Sequence, residues 1–239
     1  MKKNAIIYRS LTLVAALMIS AFVMAQVEVG VKAGLNLSTI SWKDDAGKNI
    51  TGTKRLPGFH VGMTFDIPVA SDFYIQPGVL FTTKGGELRN DAWFHYWPTE
   101  DSYYEDEYTR LSPYYIEVPF NFLYKPQLGM GNLVFGAGPY VAYGLGGRYK
   151  DKFDGNTTSG KLEFINDWDD QSSNTDINPY GKPLDFGLNV LGGYEFANRL
   201  SVQLNAGLGL ANIEPNTAGR KPDASMKNST VGISVGYKF

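Results

Sequence analysis

Apolar and polar residues alternate one by one along much of the chain, which is the pattern of β-strands with one apolar and one polar face. The final stretch shows it in TVGISVGYKF, residues 230–239, where valine, isoleucine and aromatic residues share one parity. The pattern predicts eight strands, over residues 27–38, 57–67, 73–86, 114–125, 133–149, 184–196, 200–210 and 230–239. Because unpaired strand edges leave backbone groups without partners, we expect the last strand to close a barrel.

The connections between these segments are alternately long and short. Short connections lie near residues 69–72, 126–131 and 197–199, and long ones at 39–56, 87–112, 150–182 and 212–226. Bacterial outer-membrane barrels have short periplasmic turns and long extracellular loops. The sequence therefore predicts an all-β fold, an eight-stranded antiparallel up-and-down transmembrane β-barrel of OmpA/OmpX-like size, with both termini periplasmic.

Charged residues occupy only the polar parity of the eight segments. The charges and one histidine predicted to face the lumen are Glu28, Lys32, His60, Asp66, Lys84, Glu117, Lys125, Arg148, Asp185, Glu195 and Lys238. A soluble ligand-binding barrel would also keep one face free of charge, so this pattern leaves that alternative open. Bulky aromatics on the apolar face and small residues on the other favour a narrow membrane barrel. Five acidic and five basic lumen residues should pair, because isolated buried charges are costly, and we expect no open pore.

The first 25 residues differ from the rest. Lys2, Lys3 and Arg9 precede an apolar run over residues 11–23, and Val23-Met24-Ala25 offers a small-residue cleavage site. This predicts a signal peptide, residues 1–25, cleaved before Gln26, and a barrel domain over residues 26–239. An uncleaved membrane anchor is the less favoured alternative, because a spanning helix needs about 20 apolar residues.

Composition excludes several functions. A net charge of -2 and the lack of a basic cluster argue against nucleic-acid binding. The chain has no cysteine, so disulfides and acylation on cysteine are excluded. Neither His60 nor His95 has the spacing of a zinc site or a catalytic triad, and His60 is interpreted as a lumen hydrogen-bonding residue. Residues 166–170 carry carboxylates without EF-hand spacing and are interpreted as a solvated loop. We predict no cofactor, metal or catalytic site.

The loop at residues 87–112 combines acidic and aromatic residues. Its aromatics are Trp93, Phe94, Tyr96, Trp97, Tyr103, Tyr104 and Tyr108. Exposed aromatics together are typical of a surface that binds protein or carbohydrate. Two alternatives stay open, namely a rigid cap packed on the barrel and an aromatic belt at the membrane interface.

Several segments together resemble the PorT-like outer membrane β-barrel family of Bacteroidota. They are GVKAGLNLS (30–38), YIQPGVLFTTKGG (74–86), YIEVPFNFLYK (115–125), GAGPYVAYGL (136–145), LGLANI (208–213) and VGYKF (235–239). The resemblance spans residues 26–239 and accounts for prolines inside predicted strands. It implies an outer-membrane location in a Gram-negative bacterium. It also implies that Tyr237 and Phe239 form the signal read by the barrel-assembly machinery.

These observations predict a non-enzymatic outer-membrane barrel. Its extracellular loops would serve adhesion, partner binding or envelope structure, and its partners would be membrane lipid, the assembly machinery and a protein or glycan. The alternatives are a narrow transport or secretion-associated barrel and, less favoured, a small outer-membrane enzyme.

Overall fold

The computed structural model describes residues 27–49, 53–89, 107–153, 155–171 and 177–239. In these residues the chain forms thirteen strands and one 3₁₀ turn, Trp168–Asp170. The strands are β1 (Glu28–Lys43), β2 (Thr53–Lys54), β3 (Leu56–Ala70), β4 (Phe73–Thr83), β5 (Gly86–Arg89), β6 (Tyr108–Tyr124), β7 (Gln127–Leu128), β8 (Gly131–Phe153), β9 (Asn156–Glu163), β10 (Ile177–Pro179), β11 (Leu184–Glu195), β12 (Leu200–Gly209) and β13 (Ser225–Lys238). No helix in this part of the chain is long and apolar enough to span a membrane.

Eight long strands form a closed cycle of antiparallel pairs. The order is β1, β3, β4, β6, β8, β11, β12 and β13, and β13 pairs with β1 again, from Gly30↔Lys238 to Lys43↔Ser225. We call these eight strands the ring. The all-β prediction is confirmed, but the described residues form thirteen strands where eight were predicted. Of the additional strands, β5 pairs with β6, and β7 and β9 pair with β8. The short strands β2 and β10 pair in turn with β5 and β9.

The apolar parity of the ring strands faces outward. In β6, Phe120 and Phe122 are 52% and 53% exposed, whereas Asn121 between them is buried. In β12, Leu204 is exposed and Gln203 is buried. This is the reverse of a soluble ligand-binding barrel, which buries its apolar residues inside.

The two ends of the ring differ. At the end where the chain terminates, the turn end, β3 joins β4 at residues 71–72 and β11 joins β12 at residues 196–199. Asp72 and Arg199 adopt left-handed conformations there, with φ of 62° and 67°, which several types of tight turn use. The strand ends that the long connections join all lie at the opposite end, the loop end.

An apolar core closes the interior at the loop end. We call it the cap core, and its buried residues are Ile40, Leu88, Leu111, Tyr149, Leu162, Tyr180, Ala211, Ile213 and Met226. It takes residues from stretches that the sequence predicted as loops, because β1, β6, β8 and β13 all extend further than predicted. At this height the interior is apolar and the exterior is polar. The pattern of outward apolar residues is therefore inverted, and the sequence predicts loops where the structure has strands.

One predicted lumen residue, Arg148, does not face the lumen. In β8, Tyr143 and Leu145 face outward, but beyond Gly146 the alternation reverses, so that Arg148 is exposed and Tyr149 is buried. Gly146 has a φ of 135°, which side chains rarely adopt, and the pairing of β8 with β6 shifts register beside it, at Tyr114 and Tyr115. Arg148 therefore lies on the exterior, not in the lumen.

Candidate functional site

The ring interior holds charged side chains at two heights. Those at the turn end, the turn-end cluster, are Glu28, Asp66, Lys125, Glu195 and Lys238. The Nζ of Lys238 lies 3.0 Å from Glu28 Oε2 and 2.8 Å from Glu195 Oε2. Lys238 and Lys125 both pair with Asp66, and Lys125 Nζ also lies 3.1 Å from Glu195 Oε2. Three carboxylates thus share two ammonium groups.

The second charged group, the upper cluster, lies below the cap core. The Nζ of Lys84 is 2.9 Å from Glu117 Oε2 and 3.0 Å from Asp185 Oδ2. It also lies 4.2 Å from the ring centroid of Tyr140, within cation–π range. Asn228 donates its side-chain amide to Asp185 at 3.1 Å. Lys84 and Asp185 are 3% and 0% exposed, so this pair is removed from solvent.

A chain of hydrogen bonds crosses the interior between the clusters. Lys32 donates to Gln203 Oε1 at 3.0 Å and to Asn205 Oδ1 at 2.7 Å. Asn205 donates to Ser234 Oγ at 2.6 Å, and Ser234 Oγ lies 2.8 Å from His60 Nε2. The chain continues from the histidine ring to one further side chain, Asn36.

The last bond of this chain fixes the histidine tautomer. His60 Nδ1 lies 2.6 Å from Asn36 Oδ1, and the Asn36 amide nitrogen donates to Thr82 Oγ1. Because Asn36 presents an oxygen, we assign the proton to His60 Nδ1, which leaves Nε2 to accept from the Ser234 hydroxyl. The order serine, histidine, amide is that of a nucleophile, its base and the group that orients the base.

The surroundings of these three side chains do not fit a substrate. Ser234 is 1% exposed, and the neighbouring interior cavity has a volume of about 60 Å³. That space holds a few water molecules, whereas ligand pockets measure roughly 300–1,000 Å³. Spacing alone did not reveal the arrangement, because His60, Ser234 and Asn36 are far apart in sequence. The signal that could have found it is their shared interior parity on neighbouring strands.

Ten of the eleven predicted lumen residues therefore lie in or at the rim of the interior, and Arg148 does not. The interior partners that sequence reasoning missed are neutral: Asn36, Gln76, Tyr115, Tyr140, Gln203, Asn205, Asn228 and Ser234. Together with the cap core they leave no wide passage through the described residues.

The aromatic loop joins β5 to β6. Six of its predicted binding residues, Trp93, Phe94, Tyr96, Trp97, Tyr103 and Tyr104, lie outside the described residues, and Tyr108 begins β6. The base of the loop is a paired hairpin from Gly86↔Leu111 to Arg89↔Tyr108. Glu87 and Arg110 pair across it at 2.6 Å, and the Arg110 guanidinium lies 4.4 Å from the Tyr108 ring centroid.

Asp167 joins two loops at the loop end. Its carboxylate accepts from the backbone N–H groups of Asp169 at 3.1 Å and Gly219 at 2.6 Å. These bonds lower the pKa of Asp167, because they favour its charged form. In the described part of the chain, no group of three or more histidine or acidic residues is placed to hold a metal ion.

The chain termini differ in what can be described. The predicted signal peptide, residues 1–25, lies outside the described residues. At the other end, the backbone N–H of Phe239 donates to Val29 O at 2.9 Å, so Phe239 continues the β1–β13 ladder. Tyr237 and Phe239 are 42% and 65% exposed and point outward.

One protein family and several solved structures are similar to this chain. Residues 23–214 match the family described as an outer membrane protein β-barrel domain. Similar solved structures include Neisserial surface protein A (NspA), at 14% identity over 88% of this chain and 97% of that chain, with a TM-score of 0.40. OprG from Pseudomonas aeruginosa shares 14% identity over 89% and 95%, with a TM-score of 0.44. The outer membrane enzyme PagL shares 12% identity over 84% and 98%, with a TM-score of 0.39. No curated protein matches the sequence.

Proposed function

The chain belongs to the outer membrane protein β-barrel domain family, and on this premise we propose that its ring of eight strands crosses the outer membrane as an up-and-down barrel. Both termini are then periplasmic, and the loop end faces the outside of the cell. The exposed apolar exterior supports this, with Leu35 and Leu204 at 68% and 65% exposure. In water such a face would be unfavourable, whereas in lipid it is the expected one. From the sequence resemblance described above, we also propose the PorT-like branch of Bacteroidota as the lineage. The same resemblance supports outward Tyr237 and Phe239 as the segment read by the assembly machinery.

We propose that the barrel is a scaffold without enzymatic activity, which presents its loop end to a protein or glycan. The observation that carries this is the anchoring of the aromatic loop. Leu88 and Leu111, on either side of the hairpin base, are both buried in the cap core. A loop held at both ends on a packed core loses less conformational freedom on binding than a free one, which favours affinity.

The filled interior argues against the transport alternative. The turn-end cluster, the upper cluster and the cap core lie at successive heights and leave an interior cavity of about 60 Å³. A solute crossing this interior would have to separate ion pairs that are buried, which is costly.

Planar-bilayer recording tests the absence of transport. The refolded protein is expected to give no stable single-channel steps, and steps of porin size would contradict the proposal. The comparison is a double variant, Lys125→Ala with Lys238→Ala, which opens the turn-end cluster. Its conductance should exceed any residual conductance of the native protein.

Binding is tested on bacteria that display the full chain. The probes are a glycan microarray and immobilised extracellular matrix proteins. Replacement of residues 91–105 by a Gly-Ser linker should abolish binding, and replacement of exposed residues 46–48 at another loop tip should preserve it. No binding by the full chain, or equal binding by both variants, would contradict the scaffold function.

A further inference from the structure

An exterior groove at the loop end is lined by basic side chains. It is lined by residues of β3, β6, β8 and β9, has a volume of about 580 Å³, and its lining includes Arg110, Arg148, Lys150 and Lys161. The other lining residues are Leu56, Pro57, Ser112, Tyr149, Ser159 and Gly160. None of the ten is acidic. We call it the basic groove.

Strand register brings like charges together in this groove. Arg110 lies directly opposite Lys150, and Arg148 lies directly opposite Lys161. Side chains opposite each other on antiparallel strands share a face, and like charges in such pairs repel. Of these four cations, only Arg110 has an acidic partner in the described residues, with its Nε 2.6 Å from Glu87 Oε2. Within the described residues, Arg148, Lys150 and Lys161 make no ion pair, so the groove has an excess of positive charge that an anion would relieve.

The groove begins where the apolar exterior ends. On β8 the outward residues Val141, Tyr143 and Leu145 are 51%, 57% and 59% exposed, and the next outward residues are Arg148 and Lys150. From Leu145 to Arg148 the strand rises only about 10 Å. If Leu145 lies in the hydrocarbon, Arg148 lies at the depth of the lipid headgroups.

The reversal at Gly146 is what creates this surface. Had the alternation continued unbroken, the parity of Arg148 and Lys150 would have pointed them into the interior. Gly146 with its φ of 135° and the register shift at Tyr114 and Tyr115 turn both outward. Arginine is well suited to phosphate, since its planar guanidinium donates two parallel hydrogen bonds.

We propose that the basic groove binds the phosphate groups of the outer-leaflet glycolipid, lipid A. The proposal rests on the loop end facing outward, as proposed above. The apolar face below the groove contacts the acyl chains of the same lipid, and the cations above contact its phosphates. The two opposed pairs, Arg110 with Lys150 and Arg148 with Lys161, provide several cations for phosphate groups.

Native mass spectrometry of the full barrel, folded in detergent, tests this with three probes. They are bisphosphorylated lipid A, its dephosphorylated form and inorganic pyrophosphate. The variant is Arg148→Gln, Lys150→Gln and Lys161→Gln together, and the matched control is Lys48→Gln, Arg220→Gln and Lys221→Gln, three exposed cations in other loops at the same end.

The native protein and the control are expected to bind bisphosphorylated lipid A at least about tenfold more tightly than the dephosphorylated form. The groove variant should lose this preference. Equal binding of both lipids by the native protein, or an unchanged preference in the groove variant, would overturn the proposal. Pyrophosphate binding as tight as lipid A binding would identify a soluble anion site and overturn the assignment to lipid.

Two controls separate this result from the proposed function. Heat-modifiable mobility shows that each variant is folded. Labelling of a Lys48→Cys variant on intact cells reports which end of the barrel is outside. An unlabelled residue 48 would contradict the proposed orientation, whereas loss of the lipid preference with normal labelling would contradict the groove alone.

Discussion

Lys84 and Asp185 form an ion pair across the ring interior, with Lys84 Nζ 3.0 Å from Asp185 Oδ2. Lys84 directly follows β4, and Asp185 lies at the start of β11, so the pair joins two strands that are not neighbours in the ring. Glu117 accepts from the same ammonium group at 2.9 Å. Asp185 has no exposed surface, so Lys84 rather than water faces its carboxylate.

Lys84→Met should therefore destabilise the barrel by about 3–5 kcal/mol, since it leaves two acidic groups without a counter-ion. Urea titration in detergent, followed by tryptophan fluorescence, measures the loss. Lys32→Met is the matched control, because Lys32 donates to the neutral side chains of Gln203 and Asn205, and it should cost less. The combination of Lys84→Met, Glu117→Gln and Asp185→Asn should recover much of the loss. No difference between the two lysine variants would show that the upper cluster does not stabilise the fold.

Gly146→Ala should destabilise the loop end, because alanine is strained at a φ of 135°. The expected cost is about 1–3 kcal/mol. Gly192→Ala is the matched control, since Gly192 is also in the ring and a Cβ there would meet no atom closer than 4.0 Å. Urea titration compares the two variants. Equal stability would mean that the reversal of parity in β8 does not depend on this glycine.

The sequence predicts the ring well and the loop end poorly, for one physical reason. Where the exterior is apolar, each strand has apolar residues outside and polar residues inside. Alternation with a period of two therefore identifies the strand. Above this zone Ile40 and Leu111 face inward and Arg148 faces outward, and the same period no longer tells inside from outside. Below Gly146, parity identifies which side chains face the lumen. It does not show which of them contact each other, because the choice of Asn228 or Ser234 as a partner depends on strand register.

Asp167→Ala should loosen the contact between residues 166–170 and 216–220. The variant removes the acceptor of the Gly219 and Asp169 backbone N–H groups. Hydrogen–deuterium exchange should become faster in peptides that contain Gly219, while peptides of β12 remain unchanged. Asp170→Ala is the control, because no hydrogen bond of its side chain joins it to the second loop in the described structure. Unchanged exchange at Gly219 would show that the Asp167 bond does not hold the loops together.

Replacement of residues 91–105 by a short Gly-Ser linker should leave the barrel folded. The hairpin base with Leu88, Arg110 and Leu111 stays intact in this variant, and shortening a loop changes its closure entropy only slightly. The measurement is heat-modifiable mobility after folding in detergent. Leu111→Ala, which opens the cap core, is the comparison and should cost about 2–5 kcal/mol. Failure of the linker variant to fold would show that the aromatic loop is part of the structural cap.

Ser234 should not behave as a nucleophile, despite its 2.8 Å contact with His60 Nε2. The folded protein is expected to remain unlabelled by a fluorophosphonate probe, because Ser234 is 1% exposed beside a cavity of about 60 Å³. Ser234→Ala should instead reduce stability by about 1–3 kcal/mol, since Asn205 and His60 each lose a buried hydrogen-bond partner. Ser229→Ala, on the same strand, is the control for both measurements. Labelling that Ser234→Ala and His60→Gln each abolish would overturn the structural interpretation and show that the side chains of Ser234, His60 and Asn36 form a working catalytic site.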